Sequence, residues 1–236
     1  MNQPIHSARR GHALVLSLAR PDRRNRFDTE TLRQLAGEIE AAAADASIRA
    51  VVLSGSGETF CCGGDVGATP AQRQAFGPAF IDAVTALGHC AVPVLAAVNG
   101  ACSAGGMTLL EAADFAIAAD DASFGYPEIL AGAFPLLALV TAPAHMPKKL
   151  FFDLAYGGHS LTAHEAMAAG LVNRVVGADA LWDEIDRYVD ALAQRRAAAI
   201  ARGRRLYYAA VAPVRREALA AAAAALVEAA PIKAAG

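Results

Sequence analysis

The sequence predicts an α/β fold with parallel strands, followed by a helical C-terminal region. Three observations carry this. Short apolar runs of strand length alternate with longer helix-patterned stretches up to about residue 177. Two of the apolar runs, AVVL at 50–53 and VPVLAAV at 92–98, pass through glycine-rich turns into helix. From Asp179 onward the pattern is helical to the end, with a break expected near Pro213. The chain therefore divides into a core over residues 1–178 and a helical region over residues 179–236.

Taken in order, GHALVLSLAR (11–20) alternates as a half-buried strand, and PDRRNRFD reads as a loop punctuated by Pro21 and Asn25. Asp28 caps a helix to about Ala44, with Glu30 in its first turn. Ala50 to Leu53 is a buried strand, and Ser54 to Asp65 a glycine-rich loop. Pro70 to Leu87 is helical, weakened at Gly77-Pro78. Val92 to Val98 is a buried strand ending at Asn99-Gly100, and Ala104-Gly105-Gly106 opens a helix to about Ala112. Phe115 to Ala118 is a strand and Leu150 to Tyr156 a helix. Thr162 caps a helix that Gly170 stops, and Leu171 to Val176 alternates as a strand.

Composition narrows the function classes. A formal net charge of −2 over 236 residues offers no field to draw nucleic acid or an anionic membrane. The longest apolar stretch, Ile129 to Ala144, is interrupted by Gly132, Pro135 and Pro143 and falls short of the ~20 residues of a spanning helix. It reads as core or interface. Met1 to Arg10 has no apolar core of a secretory leader, which points to the cytoplasm. Cys61, Cys62, Cys90 and Cys102 match no zinc spacing and read as reduced thiols; the six histidines show no metal or triad pattern. No metal and no separate cofactor are expected.

The segments VVLSGSGETFCCGGDV (51–66) and VLAAVNGACSAGGM (94–107) share one design of buried strand, glycine-rich turn and helix. Facing each other, such turns could aim two backbone N–H groups at one developing oxyanion. Plain tight turns are the alternative. Neither segment carries the G-x-G-x-x-G of a dinucleotide fold, and the chain has no G-K-[ST] of a phosphate loop.

With those loops in view, the sequence resembles the enoyl-CoA hydratase/isomerase (crotonase) family. TFCCGGD is similar to AFxAGxD, AVNGACSAGG to AxNGxxxGGG, GYPEILAGAFP to PExxxGxxP, and SLTAHEAMAAGLVNRVV to ISAxEAxxxGLVxxVV. PDRRNRFDTETL resembles the early segment that frames the CoA site. The motifs run in family order over roughly residues 15 to 180. The resemblance implies a spiral of ββα units with two nearly perpendicular sheets, trimers or hexamers built partly by the C-terminal helices, and an acyl-CoA substrate. It places the oxyanion donors on Gly64 and Gly105 and the catalytic carboxylate on Glu128. It implies a substrate-contacting set of Arg24, Cys62, Gly63, Asp65, Thr108, Phe134 and Pro135.

The sequence also departs from the family. The position three after Gly105, where family hydratases carry a first glutamate, is Thr108. One carboxylate is kept, enough to shuttle a proton between C2 and C4 of an enoyl thioester; hydration with one acid is harder. Glu111, one helical turn past Thr108, is a possible substitute. Apolar neighbours of Glu128 should raise its pKa. Asp65 reads as a cap on its loop, and the basic residue that often follows it in relatives is missing, leaving Arg23, Arg24 or Arg73 for CoA phosphates or as solvated loop charge. Phe134, Pro135 and Leu136 replace PGxGG and reshape the acyl pocket, which Phe76 and Phe80 could also line. Cys62 as a nucleophile lacks a nearby activating histidine. The family's closing motif is absent. Isomerisation or hydration through Glu128, a binding protein without turnover, and another enolate reaction such as decarboxylation or thioester hydrolysis all remain open.

Overall fold

The computed structural model describes residues 3–228. Among the described residues, ten strands fall into two sheets. In the larger, β1 (Ile5–Arg10) and β2 (Ala13–Leu18) form an antiparallel hairpin, and β3 (Ala50–Gly55), β5 (Val94–Val98), β7 (Phe115–Ala119) and β10 (Arg174–Val176) continue it in parallel. β1 was not legible in the sequence. It is a charged edge strand, IHSARR, whose fully buried side chain is Ile5, and so carries little alternation. Gly11, at φ +55°, makes the tight turn into β2. The apolar runs of β3 and β5 reflect burial on both faces.

One face is covered by α1 (Thr29–Ala44) and α2 (Pro70–His89), whose Leu32, Leu35, Ile39, Phe76, Phe80 and Leu87 join Leu16, Leu53 and Val94 of the sheet. The other takes Leu181, Ile185 and Val189 of α7 (Leu181–Ala193) against Val15, Val52, Leu95 and Ile117. Asp28 caps α1 through the Thr31 N–H, as expected. A reciprocal Thr69–Gln72 capping box starts α2, which runs as one helix through Gly77-Pro78. Around that point Phe27, Phe76 and Phe80 stack on one another, and this packing outweighs one lost backbone hydrogen bond. The expected break near residue 213 is absent: α8 is continuous over Ala197–Glu228. It is tied down by Arg204, which binds Asp114 at 2.7 Å and the Leu87 and Cys90 carbonyls. The helical expectation for residues 229–236 lies outside the described residues. No described helix is long and apolar enough to cross a membrane.

The smaller sheet has the order β4 (Thr59–Cys61), β6 (Ala101–Ser103), β8 (Ser123–Gly125), β9 (Ser160–Thr162). Its first three strands are parallel neighbours, with Cys61 beside Cys102 and Cys102 beside Phe124. Three-residue strands leave no periodicity to read, and β4 and β6 lie inside stretches that scan as glycine loops. α3 (Gly105–Ala112) follows β6, and two 3-10 turns, Pro127–Ala131 and Leu136–Val140, follow β8. The short α4 (Ala142–His145), α5 (Lys148–Gly157) and α6 (Ala163–Ala168) complete the core.

Candidate active site

Three loops leave the carboxyl ends of β4, β6 and β8 side by side, the place where open parallel sheets bind ligands. They carry Gly63-Gly64, Gly105 and Glu128 respectively.

The first loop is pinned to the segment before α1. The Phe27 N–H donates to the Gly63 carbonyl (3.1 Å), and the Asp65 N–H to the Phe27 carbonyl (2.7 Å). This parallel bridge uses the groups flanking Gly64 and turns the Gly64 N–H away. Arg26 Nη2 fixes the Gly64 carbonyl at 2.7 Å. In the second loop the Ala104 N–H donates to the Gly125 carbonyl (3.0 Å), and Ala104 holds φ +55° without being glycine. Gly105 is then the first residue of α3, where an N–H has no intrahelical acceptor.

The two loops meet. A β-carbon at Gly105 would stand 3.2 Å from the Gly64 nitrogen, and one at Gly63 would stand 3.5 Å from the Gly105 nitrogen. The Phe27 ring and Leu137 Cδ1 crowd both Gly64 and Gly105, and Phe76 closes on Gly64. Gly106 is required for a different reason: a β-carbon there would come within 2.1 Å of the Cys61 carbonyl oxygen, so glycine lets α3 pass against β4.

Glu128 is the second residue of the 3-10 turn Pro127–Ala131, which Pro127 starts and Gly132, at φ +75°, ends. It is half-buried, and its Oε2 is enclosed with no hydrogen-bond partner among the described residues. Burial pushes its pKa up to about 7, against a smaller downward pull from its own backbone N–H. Thr108 is fully buried, and its Oγ1 likewise has no partner among the described residues. Glu111 differs from both. It accepts from the Tyr126 hydroxyl (2.8 Å) and the Thr141 hydroxyl (2.5 Å), so the proposed substitute acid has each oxygen engaged by a buried donor.

The remaining sequence-derived residues divide. Arg24 is exposed at φ +53°, and its carbonyl accepts the Cys62 N–H (3.0 Å), which brings its backbone to the first loop. Asp65 pairs with Arg23 (3.4 Å) and more distantly with Arg20 (4.0 Å), latching the loop to the 20–26 segment. Arg73 turns back onto the Ala68 carbonyl (2.8 Å). Cys62 is half-buried; Cys61 behind it is buried, with its thiol pushed up to about 12 by desolvation. Phe134 packs with Phe151 and Tyr156 (6.1 and 6.2 Å between centroids), while Pro135 is buried at the head of the turn that delivers Leu137. Leu137 and Phe27 went unrecognised in the sequence. One sits in a featureless apolar run and the other in an arginine-rich loop, so neither carries a local signal.

The sequence matches the family described as enoyl-CoA hydratase/isomerase over residues 9–232. It is 32% identical over 212 residues to a carnitinyl-CoA dehydratase of Proteus mirabilis, covering 88% of this chain and 81% of the relative. Identity to the enoyl-CoA hydratase EchA19 of Mycobacterium tuberculosis is 33% over 176 residues, covering 71% of this chain and 66% of that one. The crystal structure of an enoyl-CoA hydratase from Mycobacterium smegmatis superposes with a TM-score of 0.84 at 30% identity, covering 96% of this chain and 90% of that one.

Proposed function

Because the chain belongs to the enoyl-CoA hydratase/isomerase family, we propose that it transforms an enoyl-CoA thioester through an enolate whose oxygen rests between the Gly64 and Gly105 N–H groups, with Glu128 moving the proton. The observation that carries this reading is the 3.2 Å between a β-carbon position on Gly105 and the Gly64 nitrogen, at the end of the strands that also lead to Glu128. Two fixed amides at one oxygen stabilise the charge that develops as a proton leaves the acyl chain; removing one such donor typically loses ~2.7–4 kcal/mol. A carboxyl with a pKa of about 7 suits proton transfer near neutrality.

In isomerisation, Glu128 takes a proton from C2 of a 3-enoyl thioester, the double bond shifts, and the same proton returns at C4. The carboxyl ends as it began, so one acid suffices. Thr108 has no titratable group to share the work, which favours this reaction. Hydration is the second reading, supported by the hydratase and dehydratase names of the relatives. It asks Glu128 both to activate water and to protonate C2. Assembly into trimers through the 179–236 region belongs to the same proposal, supported by exposed Leu206 and Tyr207 on α8 and measurable by light scattering.

The test is a panel of trans-3- and trans-2-enoyl-CoA thioesters with products identified by mass spectrometry. Turnover that falls at least about a thousandfold in Glu128→Gln is the expected outcome. Full activity in that variant, or tight binding of the whole panel without turnover, would overturn the reading.

A further inference from the structure

We infer that Glu111 is a positioning residue for this site, holding the Glu128 turn and the Leu137 turn in register with the glycine pair; this rests on the reading of Glu128 given above. Glu111 lies in α3, the helix that Gly105 opens, and is 5% exposed. Its Oε1 accepts from Tyr126, two residues before Glu128, and its Oε2 from Thr141, four residues after Leu137. One carboxylate thus joins the three segments that bear Gly105, Glu128 and Leu137.

Those segments need such a joint. The turn carrying Glu128 is a five-residue 3-10 helix with no buried residue, and its Leu130 is 72% exposed. Short 3-10 turns have poor hydrogen-bond geometry and little stability of their own. Its orientation therefore depends on what anchors the residue before it. Tyr126 is fully buried, packs edge-on against Phe151, and is held to α3 through its hydroxyl. The turn carrying Leu137 is also five residues long and runs directly into Thr141, which is 1% exposed. Bonds from two hydroxyls to a carboxylate are charge-assisted and short, and they fix direction as well as distance. Burial and the charge of Glu111 together keep the Tyr126 phenol protonated, so it remains a donor.

Loss of this joint should let the Glu128 carboxyl drift from the reacting carbons while leaving thioester binding largely intact. A displacement of about 1 Å reduces a positioned reaction by about 10²-fold. The experiment measures kcat, KM and melting temperature for Glu111→Gln, Tyr126→Phe, Thr141→Val and Thr141→Ser beside Glu128→Gln. Expected are a kcat at least about tenfold lower in Glu111→Gln and Tyr126→Phe, a KM within about threefold of wild type, and a smaller loss in Thr141→Val that Thr141→Ser restores. Folded Glu111→Gln and Tyr126→Phe with kcat within about twofold of wild type, alongside an inactive Glu128→Gln, would overturn the positioning role alone. An active Glu128→Gln would instead remove the reading beneath it. If Glu111→Gln does not fold, the Tyr126 and Thr141 variants decide: a kcat loss restored in Thr141→Ser supports the role, and wild-type kcat in both Tyr126→Phe and Thr141→Val ends it.

Discussion

The two sheets of this molecule are built to opposite specifications. In the larger, the strands β3 and β5 run five to six residues, bury nearly every side chain, and are covered by helices on both faces. In the smaller, the strands β4, β6 and β8 are three residues each, and their ends open into turns with positive φ at Gly63, Ala104 and Gly132. Of the three enclosed polar side-chain atoms without partners among the described residues, two, on Thr108 and Glu128, follow these short strands. The contrast teaches where each free energy resides. The large sheet holds apolar burial that stabilises the fold, and the small sheet holds backbone strain and unmet polar groups that are tolerated because the large sheet supports them.

The sharpest way to break the comparison is a matched pair of substitutions. Gly105→Ala adds a methyl 3.2 Å from the Gly64 nitrogen and 2.7 Å from the Phe27 ring. It should lower kcat by about 10²–10³-fold, because the added group occupies the space where an oxyanion would meet both amides. Leu95→Ala removes a fully buried side chain from β5 and should destabilise the fold by about 2–5 kcal/mol while leaving kcat/KM near wild type. Steady-state kinetics and denaturant unfolding on both variants give the answer. Equal losses of activity, or a Gly105→Ala that keeps full turnover, would erase the division of labour.

The same division explains what the sequence could and could not reveal. The centre of the large sheet was legible because β3, β5 and β7 are largely apolar runs, and the capping signals at Asp28 and Thr162 are local chemistry; its charged edge strand β1 was not. Pro213 misled because a single helix-breaking residue does not decide whether a long helix continues. Gly64, Gly105 and Glu128 were picked out by motif, but strands β4, β6 and β8, which set them side by side, are too short to show a period. The approach of the two glycine loops is a pairing over about forty residues, and no local pattern encodes it. Glu111 was read as a spare acid from its helical spacing. Its two hydroxyl partners lie 15 and 30 residues away, so its engagement was invisible before the fold was known.

A smaller effect sharpens the contrast through pH. An unfolded Glu128 loses its proton near 4.5, whereas burial holds it in the folded protein to about 7. Between those values the folded state binds more protons than the unfolded one, so this group makes stability fall as pH rises from about 4.5 to about 7 and leaves it lower above. Glu128→Gln removes the titration. Its melting temperature should match wild type near pH 4 and exceed it at pH 8 by a few degrees, on the order of 2 kcal/mol after allowance for partial solvent access. Leu95→Ala, in a sheet core without a titrating group, should differ from wild type by the same amount at both pH values. Thermal melts of the three proteins across this range make the measurement. A Glu128→Gln difference that stays flat with pH would mean the carboxyl is solvated like a surface acid, and the small sheet would lose the property that sets it apart.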